Sequence, residues 1–451
     1  MKSANEHTRV AVIGAGISGL AVSHHLDHDG VTIFEASDHY AGHVHSDVSD
    51  GFTWDDGPHV SFTVNKYVRE FLSDMVEGED EAIPSLASNY YKGHWIAHPA
   101  QISLHQVPEP LRTRCLESFL ASRQDERAVC NYKDWLHVAF GEVFAETFPA
   151  AYTRKYWTVD PVMLSTEWVG NRVMKPSVEQ VQAGAAGALG IQGPHYLHGK
   201  GPRYPRRGGF MAYTHKMARG ANIRFNTRVT RVNFGTRSLT LNDGSVVTYD
   251  NLVSTMPLKR LIRDSADAPD SAREAASKLT CTQFLRVDVA VNHPSARPEA
   301  WMYVYDEDKL SVRISTTEHF SEFNAPPGCT GIQVEVYGSE YRACPTDHEA
   351  VKRTVVAELV EMGLIEDAKY VRSVACRHVP QGNPIFDHSR GAAVKEIRGF
   401  LGNYPVQLVG RYGEHKYLMT DACIIAARRA AERIRGVRPI EDPRIYLSDE
   451  G

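Results

Sequence analysis

Gly14, Gly16 and Gly19 in VAVIGAGISGL, and Glu35 closing VTIFE, have types and spacing that suit the pyrophosphate and ribose of a dinucleotide. The first glycine permits a tight turn, the second lets backbone approach a pyrophosphate at a helix N-terminus, and the third lets helix and strand pack closely. An acid at the end of the second strand accepts from a ribose 2′-hydroxyl and repels a 2′-phosphate, which favours FAD or NAD over NADP. This chemistry needs the order strand, glycine turn, helix, strand, and VAVI, the glycines, ISGLAVSHHL and VTIF supply it. Ala41-Gly42-His43 then adds a second glycine turn, and FTWDDGPH at 52–59 adds a short strand ending at Gly57. An NAD dehydrogenase has no need of this extension. Small residues here allow backbone to contact an isoalloxazine, so the cofactor read from these residues is FAD.

The 451 residues, 42% of them hydrophobic, predict a large core and two or more domains. A net charge of -5 supplies no basic field for nucleic acid or an anionic membrane. No apolar run approaches the roughly 18 residues of a membrane span, and the polar start MKSANEHTR runs directly into the first strand, leaving no room for a signal peptide. Seven cysteines without a CxxC pair suggest reduced thiols and a cytoplasmic protein.

The pattern predicts an α/β fold in which a Rossmann-like FAD-binding domain is interleaved with a helical segment and a substrate-side antiparallel sheet. The expected divisions are 1–85 (FAD domain, first part), 86–200 (helical, with a mobile Gly/Ala-rich loop AGAAGALGIQG), 201–260 (FAD domain, second part), 261–375 (antiparallel sheet) and 376–451 (FAD domain, third part). Asn242-Asp243-Gly244 marks a hairpin turn. VQLVGRYGEHKYLMTDACIIAARRAAERI reads as a strand, a turn at Gly410, and a long amphipathic helix with Asp421 near its start and amides free for the flavin.

In order and approximate spacing, several segments make the chain resemble the UDP-galactopyranose mutases, especially the eukaryotic-type branch, within the protoporphyrinogen-oxidase-like and amine-oxidase-like flavoproteins. They are the fingerprint through Glu35, GPHVSF at 57–62, YYKGHWIAHPAQISL at 90–104, YTRKYW at 152–157, WVGNRVMKP at 168–176, YPRRGG at 204–209, LVSTM at 252–256, Trp301 with Arg313, and GRYGEHKYLMTDA at 410–422. The resemblance implies a redox-neutral ring contraction of a nucleotide-linked sugar, in which reduced flavin N5 forms an adduct with the anomeric carbon while the diphosphate leaves, with NAD(P)H as reductant. It places Arg172 and Arg313 on the diphosphate, which guanidinium binds bidentately. It also places His59 beside the flavin, Gly410, Arg411 and Asp421 at the cofactor, and Tyr152, Trp157, Trp301, Asn383 and Tyr417 at the substrate. Phe320 and Asn383 stand where the family has tyrosines, Ala41 replaces the first glycine of a Gly-Gly pair, and Pro58 replaces a small residue.

Blander readings exist. An arbitrary arginine is more often an ion-pair residue, Trp157 suits core packing as well as a sugar or base wall, and the run Arg203, Arg206 and Arg207 suits a solvated turn. His43, His45 and Asp47 alternate like strand ligands but lack a fourth metal partner. The alternative function is an FAD oxidoreductase of amine-oxidase or protoporphyrinogen-oxidase type, and a third reading is flavin binding without catalysis.

Overall fold

Five parallel strands end level with one another, the fifth because Arg224 is in register with Phe34, and this brings distant parts of the chain to one edge. In a computed structural model describing residues 6–84, 86–170, 172–188 and 201–439, Ile13 is in register with both Phe34 and Ser254, and Ser254 with Leu408. Gly14, Glu35, Thr255 and Gly410 therefore all emerge at the carboxyl edge, the edge at which open α/β sheets bind ligands. The seven-stranded sheet runs Val229–Asn233, Ser238–Leu241, Val246–Ser254, Glu6–Ile13, Val31–Phe34, Ile223–Arg224, with Val406–Leu408 also on Val246–Ser254. The hairpin at Asn242-Asp243-Gly244 forms as its sequence predicts, with Gly244 at φ +84°. Helix Ile17–His25 lies on the sheet, and the C-terminal helix Thr420–Ile434 packs beside it through Ile424, Ala427 and Ala431 against Leu20 and Ala21.

A second seven-stranded sheet runs Val371–Val379, Gln283–Val291, Thr330–Gly338, Arg313–Thr316, Trp301–Val304, Ala87–Tyr91, His94–Ala97. All of its pairings are antiparallel except that of Trp301–Val304 with Ala87–Tyr91. Its strands alternate with period two. Leu285, Val287, Val289, Val334 and Val336 pack under helix His348–Glu361, while Phe284, Arg286, Asp288, Gln333, Glu335 and Tyr337 form the opposite face. This sheet reaches beyond the stretch expected for it at both ends. Two of its strands fall at 87–97, ahead of the helical stretch in the segment expected at 86–200, joined through Lys92 and Gly93 at φ 45° and 81°, a left-handed pair suited to a tight hairpin.

The helical layer, Leu111–Ala121, Tyr132–Phe140, Glu142–Ala145, Glu146–Ala150 and Ala151–Tyr156, joins Phe140, Phe144 and Phe148 in one hydrophobic cluster with Ile96, Phe284, Tyr337 and Val379 of this sheet. Of the stretch expected as a mobile loop, the first part is helix Val178–Ala185, started by a Ser177–Gln180 capping box. Gly184 packs so tightly that a Cβ there would lie 2.2 Å from the Ile102 carbonyl oxygen. Positions 189–193 lie outside the described residues.

Candidate functional site

The glycine turn has the shape its sequence demands. Gly14 has φ +100°, and a Cβ there would lie 2.4 Å from Thr255 Oγ1; at Gly19 a Cβ would lie 2.0 Å from the Gly14 carbonyl oxygen. Gly16 differs, because a Cβ there meets nothing closer than 3.8 Å, so its openness serves something other than the protein's own packing. Glu35 accepts the Ala15 amide at 2.7 Å and the Ser37 amide at 2.8 Å, which sets its carboxylate beside the turn with lone pairs remaining for a hydroxyl. Gly42, at φ +56°, leaves no room for a Cβ, which would lie 2.9 Å from Gly16 Cα; Ala41 carries its side chain at φ +79°. At Gly410 a Cβ would lie 2.4 Å from Ser18 Oγ, and Asp421 stands in the first turn of the C-terminal helix, accepting the Ala422 amide. This cradle, open only where a pyrophosphate approaches, fits a dinucleotide such as FAD.

A cavity of about 640 Å³ lies between the loop at 56–60, the polar sheet face and the residues from Arg411 to Ala422. His59 lines it and donates from Nδ1 to the Gly57 carbonyl at 2.7 Å, which leaves Nε2 unprotonated in the neutral ring. Burial, with Arg411 and Arg313 nearby, pushes His59 down to about 3, so it is neutral at physiological pH. His43, its ring centroid 5.7 Å away, is held well below the ordinary histidine range by burial and by His59. Gly57 cannot be larger, because a Cβ would lie 2.8 Å from Glu335 Oε1.

Arg172, Arg313 and Arg411 converge on the cavity. Arg172 donates to the Trp168 carbonyl at 3.0 Å and the Tyr417 carbonyl at 2.5 Å. The Tyr417 ring lies against two guanidiniums, with Arg172 at 4.8 Å and Arg411 at 5.3 Å. Arg313 is held side-on by Glu335, Nε at 2.6 Å and Nη2 at 2.8 Å; burial opposes its charge, and Glu335 overrides burial to raise it. Asn383 accepts from Arg411 Nη1 at 2.8 Å and donates to Tyr156 Oη at 2.7 Å, so the amide joins a cation to a phenol. Trp301 and Phe320 form an apolar wall, their rings stacked at 6.3 Å.

A second cavity of about 220 Å³ shares Arg172, Arg313, Tyr156 and Tyr417 with the first. Tyr152 borders only this second one. So does Trp157, which is 3% exposed and packed edge-on to Tyr417 at 5.6 Å, a member of the aromatic core that touches the slot. Tyr152 Oη and Trp168 Nε1 are buried there without a hydrogen-bond partner among the described residues.

Arg203 pairs with Asp80 at 2.7 Å, and Arg207 covers the Phe323 ring at 3.5 Å. His45 lies 3.6 Å from Asp47, and among the described residues no group of three His, Cys, Asp or Glu could hold a metal. All seven cysteines are free, and among the described residues no helix is long and apolar enough to cross a membrane.

Sequence reasoning missed Glu335, Tyr156 and the buried charge centre at Arg286. That guanidinium, fully enclosed, meets Asp47, Asp56 and Asp288 at 3.0, 2.5 and 2.8 Å. The signal was present as charge at alternate positions in FLRVDVAVN and GIQVEVYG. It reads as a solvated face until the hairpin Ser46–Ser49 with Phe52–Asp55, and Asp56 after it, are known to cover it.

The buried imidazoles set an acid limb. Burial lowers His25 and His98 to about 4 and His415 to about 3, alongside His59. Unfolded histidine titrates near 6.5, so below that pH the unfolded chain binds more protons. The stability from these rings is complete above about 6.5 and is lost as pH falls toward 4 and then 3. Asp55, pushed up to about 6 by burial, works in the opposite sense, as do Asp56, Asp288, Asp306, Glu318 and Glu414, each raised by burial, while burial of His24, His28, His43 and His215 adds to the four rings. The melting temperature is expected to fall steadily between pH 7 and 4; calorimetry showing a flat profile there would mean that these rings are solvated.

Comparisons with known proteins bear on the family and the fold. Residues 17–435 match the family described as flavin containing amine oxidoreductase. Protoporphyrinogen oxidase 2, chloroplastic/mitochondrial, of Arabidopsis thaliana is 37% identical over 78 residues, 17% of this chain and only 15% of that relative's length. A crystal structure of reduced UDP-galactopyranose mutase superposes with a TM-score of 0.89 over 98% of this chain and 97% of that one, at 22% identity. A putrescine oxidase variant does so with a TM-score of 0.65 over 96% of this chain and 100% of its own, at 15% identity. The two structural likenesses concern fold; the match across 17–435 carries the assignment, and the chain belongs to the flavin-containing amine oxidoreductase family.

Proposed function

We propose that this protein is a flavoenzyme that interconverts the pyranose and furanose forms of a nucleotide-linked sugar with no net redox change, its FAD held reduced by a hydride donor such as NAD(P)H. One observation carries the reading: the two cavities share Arg172, Arg313 and Tyr417. A ligand laid across both would have its sugar beside His59, its diphosphate at the guanidiniums and its base in the aromatic slot, where Tyr152 and Trp168 keep donors in reserve.

Reduced FAD, when bound, supplies the nucleophile. The chain's own residues do the rest. Arg172 and Arg313 bind and neutralise the departing diphosphate, as Arg411 does through its free edge. Neutral His59, its proton fixed on Nδ1, presents an acceptor without adding charge. Trp301 and Phe320 exclude water from the sugar. Free thiols fit a cytoplasmic protein.

One observation favours a second reading, oxidation of an uncharged small molecule: Glu335 already satisfies most of the charge of Arg313. The deciding experiment incubates dithionite-reduced protein with a panel of UDP-, GDP- and dTDP-hexoses. The expected result is a furanose product formed over many turnovers with no reductant consumed. Turnover only by oxidised protein, with one reduction per product, would establish the oxidoreductase instead, and uptake of FAD with neither activity would leave a binding protein.

A further inference from the structure

Asp55 ends the strand Phe52–Asp55 and is 3% exposed. Its Oδ1 accepts from Ser46 Oγ at 2.6 Å and from the Phe210 amide at 3.0 Å, and its Oδ2 accepts from Tyr204 Oη at 2.6 Å. Its main-chain carbonyl accepts from Arg286 Nη1 at 3.2 Å and Gln333 Nε2 at 2.8 Å. These five donors belong to the hairpin strand Ser46–Ser49, the turn at 204–210 and two strands of the second sheet. One residue thus fastens four separate segments.

The next residues, Asp56-Gly57-Pro58-His59, are the wall of the larger cavity. His59 rests against Phe210, the same residue whose amide Asp55 holds, at 5.4 Å between ring centroids. No side chain fits between the two segments, since a Cβ on Gly209 would lie 2.3 Å from Ser46 Oγ and 2.8 Å from Asp55 Oδ1. Only an acceptor with several lone pairs satisfies three donors converging on so small a space.

We propose that Asp55 is a positioning residue that clamps the 204–210 turn to the 56–59 loop and so fixes His59 and the wall facing the flavin. The inference rests on the FAD reading of the site. A carboxylate accepts from all three donors, whereas an amide of the same shape meets the Tyr204 hydroxyl with Nδ2 and so reverses that bond, leaving the phenol, which already accepts from Asn324, without an acceptor for its proton. The clamp therefore fails without a change in volume, and the cavity wall shifts.

The test compares Asp55→Asn and Tyr204→Phe with Glu358→Gln in the full-length protein. Glu358 is also a buried carboxylate, accepting from the Leu310 and Ser311 amides and Ser311 Oγ, but it lines neither cavity. Asp55→Asn is expected to release FAD at least tenfold faster and to shift the oxidised-to-reduced equilibrium at least tenfold, about 30 mV for a two-electron couple. Tyr204→Phe, which keeps two of the three side-chain contacts, is expected to move both in the same direction by less, and it decides the matter should Asp55→Asn fail to fold. Glu358→Gln is expected to lower the melting temperature and move neither. Unchanged FAD release and potential in the two clamp variants, or equal shifts in Glu358→Gln, would overturn the proposal. A wild-type protein that takes up no FAD at all would instead sink the flavin reading beneath it.

Discussion

Gly16→Val is expected to fold and to purify colourless. Gly16 has φ -69° and ψ 173°, a conformation open to any residue, and the nearest atoms to an added Cβ are at 3.8 Å, so the protein itself has little reason to exclude a side chain there. Its isopropyl group would stand over the start of helix Ile17–His25, where the amides of the first turn point at an approaching pyrophosphate. Gly19→Val is the informative contrast. Its Cβ falls 2.0 Å from the Gly14 carbonyl oxygen and 3.2 Å from Val12 Cγ1, so helix and strand must part, at a cost beyond the roughly 1–3 kcal/mol of ordinary overpacking. Flavin absorbance per chain and thermal melts separate the two: Gly16→Val keeps its melting transition and loses its colour, and Gly19→Val loses both. Stoichiometric FAD in purified Gly16→Val would show that this turn is not the pyrophosphate site.

The second large effect is on nucleotide binding, and the two arginines should fail in different ways. Arg172 is held by two main-chain carbonyls and the Tyr417 ring, so Arg172→Ala removes a cation and strands no anion at those contacts. A charge-assisted contact is worth about 1.5–3 kcal/mol, and nucleoside diphosphate affinity is expected to fall tenfold or more. Arg313→Ala also strands Glu335, 1% exposed, and breaking a buried pair costs about 3–5 kcal/mol of stability. Adding Glu335→Gln should restore much of that stability while leaving nucleotide binding weak. Calorimetric titration of UDP, GDP and dTDP into Arg172→Ala and the double variant, with melts alongside, tests both parts. Wild-type affinity in both variants would make the arginines structural and favour the oxidoreductase reading.

What could be read without coordinates was what neighbouring residues decide among themselves. Gly14, Gly16, Gly19 and Glu35 lie within one strand–helix–strand unit, and the hairpin at Asn242-Asp243-Gly244 needs only its own turn. The missed features are cross-strand or long-range. Glu335 meets Arg313 because their strands pair in that register, and a shift of one residue would turn Glu335 to the other face. Tyr156, Asn383 and Arg411 form one chain of hydrogen bonds across wide separations in sequence, which no periodicity encodes. The strands at 87–97 pair with each other locally, but the sheet that they join is reached only through Trp301–Val304, far along the chain, which pairs with Ala87–Tyr91. Trp157 suited both core and ligand wall in sequence, and in the structure it packs in the core and borders the smaller cavity.

The level ending of the parallel strands has a consequence for biosynthesis. Glycines 14 to 19 leave the ribosome well before the rest of the cradle, but the edge that they form is completed only when Val406–Leu408 pairs with Val246–Ser254 and Gly410 seats on Ser18. At about 5–20 residues per second, that is some 20–80 s later. Through that interval Leu20 and Ala21 lack the helix that covers them in the finished protein. The cradle closes only after Val406–Leu408 and Gly410 have been synthesised, so cofactor capture is expected to follow them, and the FAD content of chains cut before Thr420–Ile434 tests this.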